Sequence, residues 1–207
     1  MHTIPFSDYT TLLKCLKLSG GQLFGGLVRS LTMGALDCAD IDIWFTSNNQ
    51  KDKFLNAMKD NFTSNFTFPF DDKFANDYDH ERFVGRLQPS NYVPSDERSA
   101  IVIDMVVSPT FLTGPFTCNA LSYNGGNYTC HDSKFTIEQI KDQIKTKQSY
   151  YYDDFVKKIR GTKFAVRYAD RLRKMKDRGY KFEALSSLQN ETEVEVSYKY
   201  VNEKDMY

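Results

Sequence analysis

The stretch Ala100-Ile101-Val102-Ile103-Asp104-Met105-Val106-Val107 constrains the fold more than any other. All but one position is apolar and most are β-branched, so it reads as a strand. A strand with no alternation is covered on both faces, which places it centrally in a sheet. Asp104 interrupts it. A lone carboxylate there is unfavourable unless it is paired or bound to a cation. It is either a satisfied acid or a member of a carboxylate group that binds metal or accepts a proton from an attacking hydroxyl.

A second stretch supplies possible companions. Leu23-Phe24 reads as a short strand, Gly25-Gly26 as the turn into a short helix ending near Gly34, and Asp40-Ile41-Asp42-Ile43-Trp44-Phe45 as another strand. Residues two apart in a strand point to one side, so Asp40 and Asp42 aim together while Ile41 and Ile43 enter the core. Two like charges side by side repel, and a divalent cation removes the conflict. An exposed edge strand would also tolerate them. Glycines before a helix let backbone approach a phosphate, the helix start attracts it, and Arg29 adds a cation suited to it. Gly20-Gly21 competes for that role, but it follows a helix and reads as a C-cap turn.

The remaining elements follow from local signals. Ser7 or Asp8 can cap a helix running to Leu18. A helix from Ser47 or Asn48 to about Lys59 buries Phe54, Leu55 and Met58. Residues 66–70 read as a strand, 71–82 as a loop, 83–87 as a strand and 88–99 as a loop. Asn124-Gly125-Gly126 is a tight turn. Residues 136–147 form a helix with Ile137, Ile140 and Ile144 at helical spacing, and 193–201 alternate like a last strand.

Composition matters chiefly through charge. The 207 residues carry no net formal charge. From Phe155 to Lys181, however, the only acids are Asp170 and Asp177, among many arginines and lysines. Such a run is either a solvated helix face or the footprint of a nucleic acid. Four cysteines without Cys-x-x-Cys spacing argue against zinc. With no long apolar span or leader, the expectation is a reduced cytoplasmic protein without a membrane partner.

The segment from Gly25 to Asp42 resembles the head of polymerase-beta-type nucleotidyltransferases, especially bacterial-type CCA-adding enzymes and poly(A) polymerases. Gly25, Gly26, Arg29, Met33-Gly34, Asp40 and Asp42 match that family's Gly-Gly-x-x-Arg-Asp, Leu-Gly and Asp-x-Asp pattern. Ser30 replaces an Asp, and one extra residue precedes the carboxylates. Phe116, Thr117, Asn119 and Ala120 match a second family segment, with Thr113-Gly114-Pro115 in place of its Arg-Arg-Asp. Residues 153–165 follow the neck segment: Asp153 and Asp154 take the two acidic places, and Lys157, Arg160 and Lys163 the three arginine places.

The resemblance implies an α+β fold, with a nucleotidyltransferase head of small mixed sheet and flanking helices over 1–132. A helical neck with a basic helix and a C-terminal strand then occupies 133–207. It implies that Asp40 and Asp42 hold Mg²⁺ (or Mn²⁺) as catalytic carboxylates, and the lone acid of its strand, Asp104, is read as a third beside them. Gly25, Gly26, Arg29, Asn119, Asp154, Lys157, Arg160 and Lys163 would hold the nucleoside triphosphate, ATP or CTP being favoured. The neck helix is expected to continue past Lys163 to about Gly179. The implied reaction is template-independent nucleotide addition to an RNA 3′ end. Nucleotide transfer to a protein or small molecule, and a non-catalytic RNA- or nucleotide-binding role, are the alternatives.

Overall fold

The computed structural model describes residues 2–61, 81–87 and 101–186. The strands expected at 66–70 and 193–201, and the loops at 71–80 and 88–99, lie outside the described residues.

The protein is mixed α/β and contains a six-stranded mixed sheet. The strands enter in chain order as β1 (His2–Thr3), β2 (Gln22–Phe24), β3 (Asp37–Cys38), β4 (Asp40–Phe45), β5 (Glu81–Leu87), β6 (Ile101–Val107), β7 (Leu121–Tyr123) and β8 (Tyr128–Cys130). Their order across the large sheet is β5-β6-β4-β2-β7-β8. Only β4 and β6 run parallel; the other neighbours are antiparallel. β1 and β3 form a separate antiparallel pair.

β6 has a partner on each side, as its apolar run requires. Its cover is uneven. Ile101, Ile103 and Met105 are fully buried, whereas Val102, on the face shared with Asp104, is 36% exposed. β4 alternates cleanly: Ile41, Ile43 and Phe45 are fully buried, leaving Asp40, Asp42 and Trp44 on the other face.

Helix α1 (Phe6–Ser19) starts earlier than the capping signals suggest, with Pro5 rather than Ser7 or Asp8 at its N-cap. Proline has no polar side chain, so the N-cap makes no side-chain hydrogen bond. Gly20 closes it in the left-handed conformation, φ 78°, with its N–H on the Leu16 carbonyl. The second helix, α2 (Gly25–Thr32), leaves β2 without a linker. Helix α3 (Asn48–Asn61) buries Phe54, Leu55 and Met58, and the Phe54 ring lies 5.5 Å from that of Phe45. The β7–β8 hairpin turns through Asn124, whose side-chain oxygen accepts the N–H groups of Gly126 and Asn127.

Two compact units divide the chain. One comprises Met1–Leu112 with Leu121–Ile137, the other Thr113–Ala120 with the chain from Glu138. The expected boundary at 132/133 therefore falls a few residues early, and it omits the excursion of Thr113–Ala120. A buried hub explains that excursion. The Thr117 hydroxyl bonds Gln143 at 2.5 Å and Ser149 at 3.2 Å, and accepts the Tyr150 N–H at 3.0 Å. Gln143 sits on α4 (Ile137–Thr146), and Ser149 and Tyr150 on β9 (Gln148–Tyr151).

The second unit is not wholly helical. β9 pairs in parallel with β10 (Lys181–Ala184), placing Lys181 opposite Gln148. Between them lie α5 (Asp153–Ile159) and α6 (Lys163–Asp177). The single neck helix expected from the sequence is thus two helices. Gly161 separates them at φ 76°, a left-handed conformation that ends a helix.

Candidate active site

The site begins with the alternation of β4, which turns Asp40 and Asp42 to one face. β2 runs antiparallel beside it with Phe24 opposite Asp42, so the chain enters α2 at the level of that carboxylate. Gly25 makes this approach possible. Its φ is 68°, and the place of a Cβ is taken by Asp42 Oδ2. Gly26 differs: a Cβ there would stand 3.9 Å from Arg29 Nη2 and 4.0 Å from Asp40 Oδ1, at ordinary contact. Gly25, Gly26, Arg29, Asp40 and Asp42 therefore lie close together, and Gly25 is the residue that the backbone demands.

Asp42 carries the electrostatic load of this arrangement. Burial pushes its carboxyl up to about 7, and the charges of Asp40 and Asp104 push the same way. A hydrogen bond from the Gly26 N–H and the charge of Arg29 act against the rise.

Asp104 is the register partner of Asp42 across the parallel β4–β6 pair. The structure thus brings all three expected carboxylates onto one sheet face. It also shows what compensates Asp104. From β5, Arg82 donates through Nε to Oδ1 at 2.7 Å and through Nη2 to Oδ2, a two-pronged ion pair. The arginine side chain is 43% exposed and the aspartate side chain 11%. Arg82 was not legible as a site residue, since it precedes the expected strand by one position. The signal was the unpaired acid itself, which required a cation on a neighbouring strand. No local pattern says which one.

Among the described residues, no group of three or more His, Cys, Asp or Glu side chains forms a ready-made metal site. Magnesium does not need one. It is commonly held by one or two carboxylates together with substrate phosphates and water. Asp40 and Asp42 fit that role, because two acids close together, one of them with a raised carboxyl, are relieved by a cation.

The other expected site residues belong to the second unit. Asn119 lies in the 3₁₀ turn Thr117–Asn119, part-exposed. Asp154 and Lys157 share α5, both exposed, and no ion pair joins them. Arg160 is the C-cap of α5, with extended backbone, and Lys163 opens α6. The chain break at Gly161 takes Arg160 and Lys163 off the helix that carries Asp154 and Lys157. The neighbouring Asp153 accepts the Ser186 N–H at 3.0 Å, a structural tie that leaves Asp154 as the exposed acid.

No family model, curated protein or solved structure matches the chain. Among the described residues no helix is long and apolar enough to cross a membrane.

Proposed function

We propose that the protein is a metal-dependent, template-independent nucleotidyltransferase that adds nucleotides from a nucleoside triphosphate to an RNA 3′ end. One observation carries the reading: Phe24 stands opposite Asp42, so the glycine turn, the start of α2 and Arg29 all abut the Asp40–Asp42 pair. Phosphate-binding and cation-binding groups lie close together.

In this reading the start of α2 and Arg29 hold the triphosphate, through its positive dipole end and a planar guanidinium. Gly26 keeps its N–H on Asp42 and, lacking a side chain, leaves the approach clear for the phosphates. Asp40 and Asp42 would hold Mg²⁺ or Mn²⁺, which supplies charge neutralisation as the acceptor oxygen displaces pyrophosphate. The reaction forms one bond from the 3′-oxygen to the α-phosphorus and breaks the bond to pyrophosphate. The hydroxyl proton needs an acceptor, and Asp104 is the neighbouring carboxylate, provided that Arg82 yields it.

The exposed cations of α6 favour RNA as acceptor over a protein or small molecule. The grip of Arg82 on Asp104 favours the second reading, a protein that binds nucleotide without transferring it. Incubation with each labelled nucleoside triphosphate, Mg²⁺ and short RNAs, resolved on a gel, tests the two. Extension by the wild type but not by Asp42→Asn supports transfer. Nucleotide binding without any extended product overturns it.

A further inference from the structure

The cations of α6 are not spread evenly around the helix. Arg167, Arg171 and Lys174, with Arg178 in the turn that closes it, are four, three and four residues apart. That series stays on one side of a helix with 3.6 residues per turn. All four are exposed, while Tyr168 and Met175 turn inward on another side. Asp170, three residues after Arg167 and four before Lys174, pairs with Arg173 at 3.0 Å. Arg178 leans on Met175 Sδ, which leaves its charge at the surface. The line runs about 16 Å at 1.5 Å per residue.

A row of exposed cations matches an extended polyanion better than a compact ligand. Three of the four are arginines, whose guanidinium fits a phosphate with two hydrogen bonds. No aromatic side chain stands in the row to stack on a base, so it has no means of reading sequence. We propose that Arg171, Lys174 and Arg178, with Arg167 continuing the line, form a track for consecutive phosphates of a single RNA strand, bound without regard to sequence. The proposal rests on the reading of RNA as the acceptor and names how that acceptor is held.

The test is a salt titration of RNA affinity, read by fluorescence anisotropy with the full chain and a labelled oligoadenylate between about 50 and 200 mM salt. Each phosphate contact on a single strand contributes about 0.7 to the slope of log affinity against log salt. The variant Arg171→Ala/Lys174→Ala/Arg178→Ala should lose about 2 from that slope. Lys176→Gln removes one charge from the same helix but off the line, and should leave the slope unchanged where Lys174→Gln lowers it by about 0.7. Should the triple variant lose helicity by circular dichroism, Lys174→Gln alone decides, with an expected loss of about 0.7.

Equal losses from the on-line and off-line variants would overturn the track in favour of general charge attraction. An unchanged triple variant, or displacement of the RNA by poly-glutamate at equal charge, would overturn it as well, the latter in favour of an acidic protein surface. Asp42→Asn separates this proposal from the catalytic one. A wild type that binds RNA through the row but never extends it refutes only the transferase. Extension with no dependence on the row refutes only the track.

Discussion

Asp42 and Asp104 stand opposite each other in register on adjacent parallel strands, and Arg82 grips the second through two nitrogens. The pairing divides the three carboxylates by role. Asp104 is held by the Arg82 guanidinium, whereas Asp42 feels the charges of Asp40 and Asp104 with Arg29 acting against them.

That division predicts the effect of removing the arginine. Arg82→Ala strips two hydrogen bonds from a carboxylate that is only 8% exposed and sits beside another acid. The expected loss is about 1.5–3 kcal/mol in chemical denaturation, since a buried charge is left without its partner. Asp104→Asn in the same background should recover part of it. A coupling energy below about 0.5 kcal/mol in the double-mutant cycle would mean that the pair does not support the fold.

The raised carboxyl of Asp42 predicts a pH dependence with a definite sign. Its folded value is about 7 against an ordinary 3.8, so the folded protein binds the extra proton between those values. The contribution to stability is complete below about pH 3.8 and is lost as pH rises through about 7. Asp42→Asn should therefore raise the melting temperature of the metal-free protein at pH 8, by an amount that shrinks toward pH 5. The free energy involved is at most about 4 kcal/mol, and roughly half that once partial exposure is allowed for. Added Mn²⁺ should stabilise the wild type at pH 8 and not the variant, which should also lose transfer. A wild type whose melting is indifferent to metal would remove Asp42 as a ligand.

The two glycines of the turn should behave differently. Gly25→Ala forces a side chain into a left-handed conformation and against Asp42, so a loss of about 1–3 kcal/mol is expected. Gly26→Val has room for its Cβ between Arg29 and Asp40. It should melt close to the wild type but bind nucleoside triphosphate more weakly, by tenfold or more. Unchanged affinity in the folded variant would put the phosphates elsewhere.

The strands carrying the carboxylates could be read from sequence because their signals are local. An apolar run gave β6, and strict alternation gave β4 and the shared side of Asp40 and Asp42. Gly20 declared its helix end, and the Phe54, Leu55 and Met58 spacing its helix. What escaped depends on partners far along the chain. β9 carries no local strand signal, because a four-residue strand becomes one only by pairing with Lys181–Ala184. Arg82 finds Asp104 across a ladder that no spacing encodes. The break at Gly161 is another kind of miss. Its glycine signal was present, but the regular spacing of Lys157, Arg160 and Lys163 resembled a neck helix closely enough to hide it.

The break shapes the last prediction, which concerns base choice. Asp154 and Lys157 still lie three apart on α5, exposed and not paired to each other, so both can address one base. A carboxylate accepts from an exocyclic amino group, and an ammonium donates to a ring nitrogen or carbonyl, a combination that suits ATP or CTP. One lost hydrogen bond is worth about 1–1.5 kcal/mol, so Asp154→Ala should cut the preference for ATP or CTP over UTP and GTP by roughly tenfold. Lys157→Arg, which restores a planar fork, should sharpen it. Arg160→Ala should slow all four nucleotides alike. The measurement is the ratio of turnover among the four triphosphates under single-nucleotide conditions. Ratios unchanged by both α5 substitutions would make Asp154 and Lys157 ordinary surface charges.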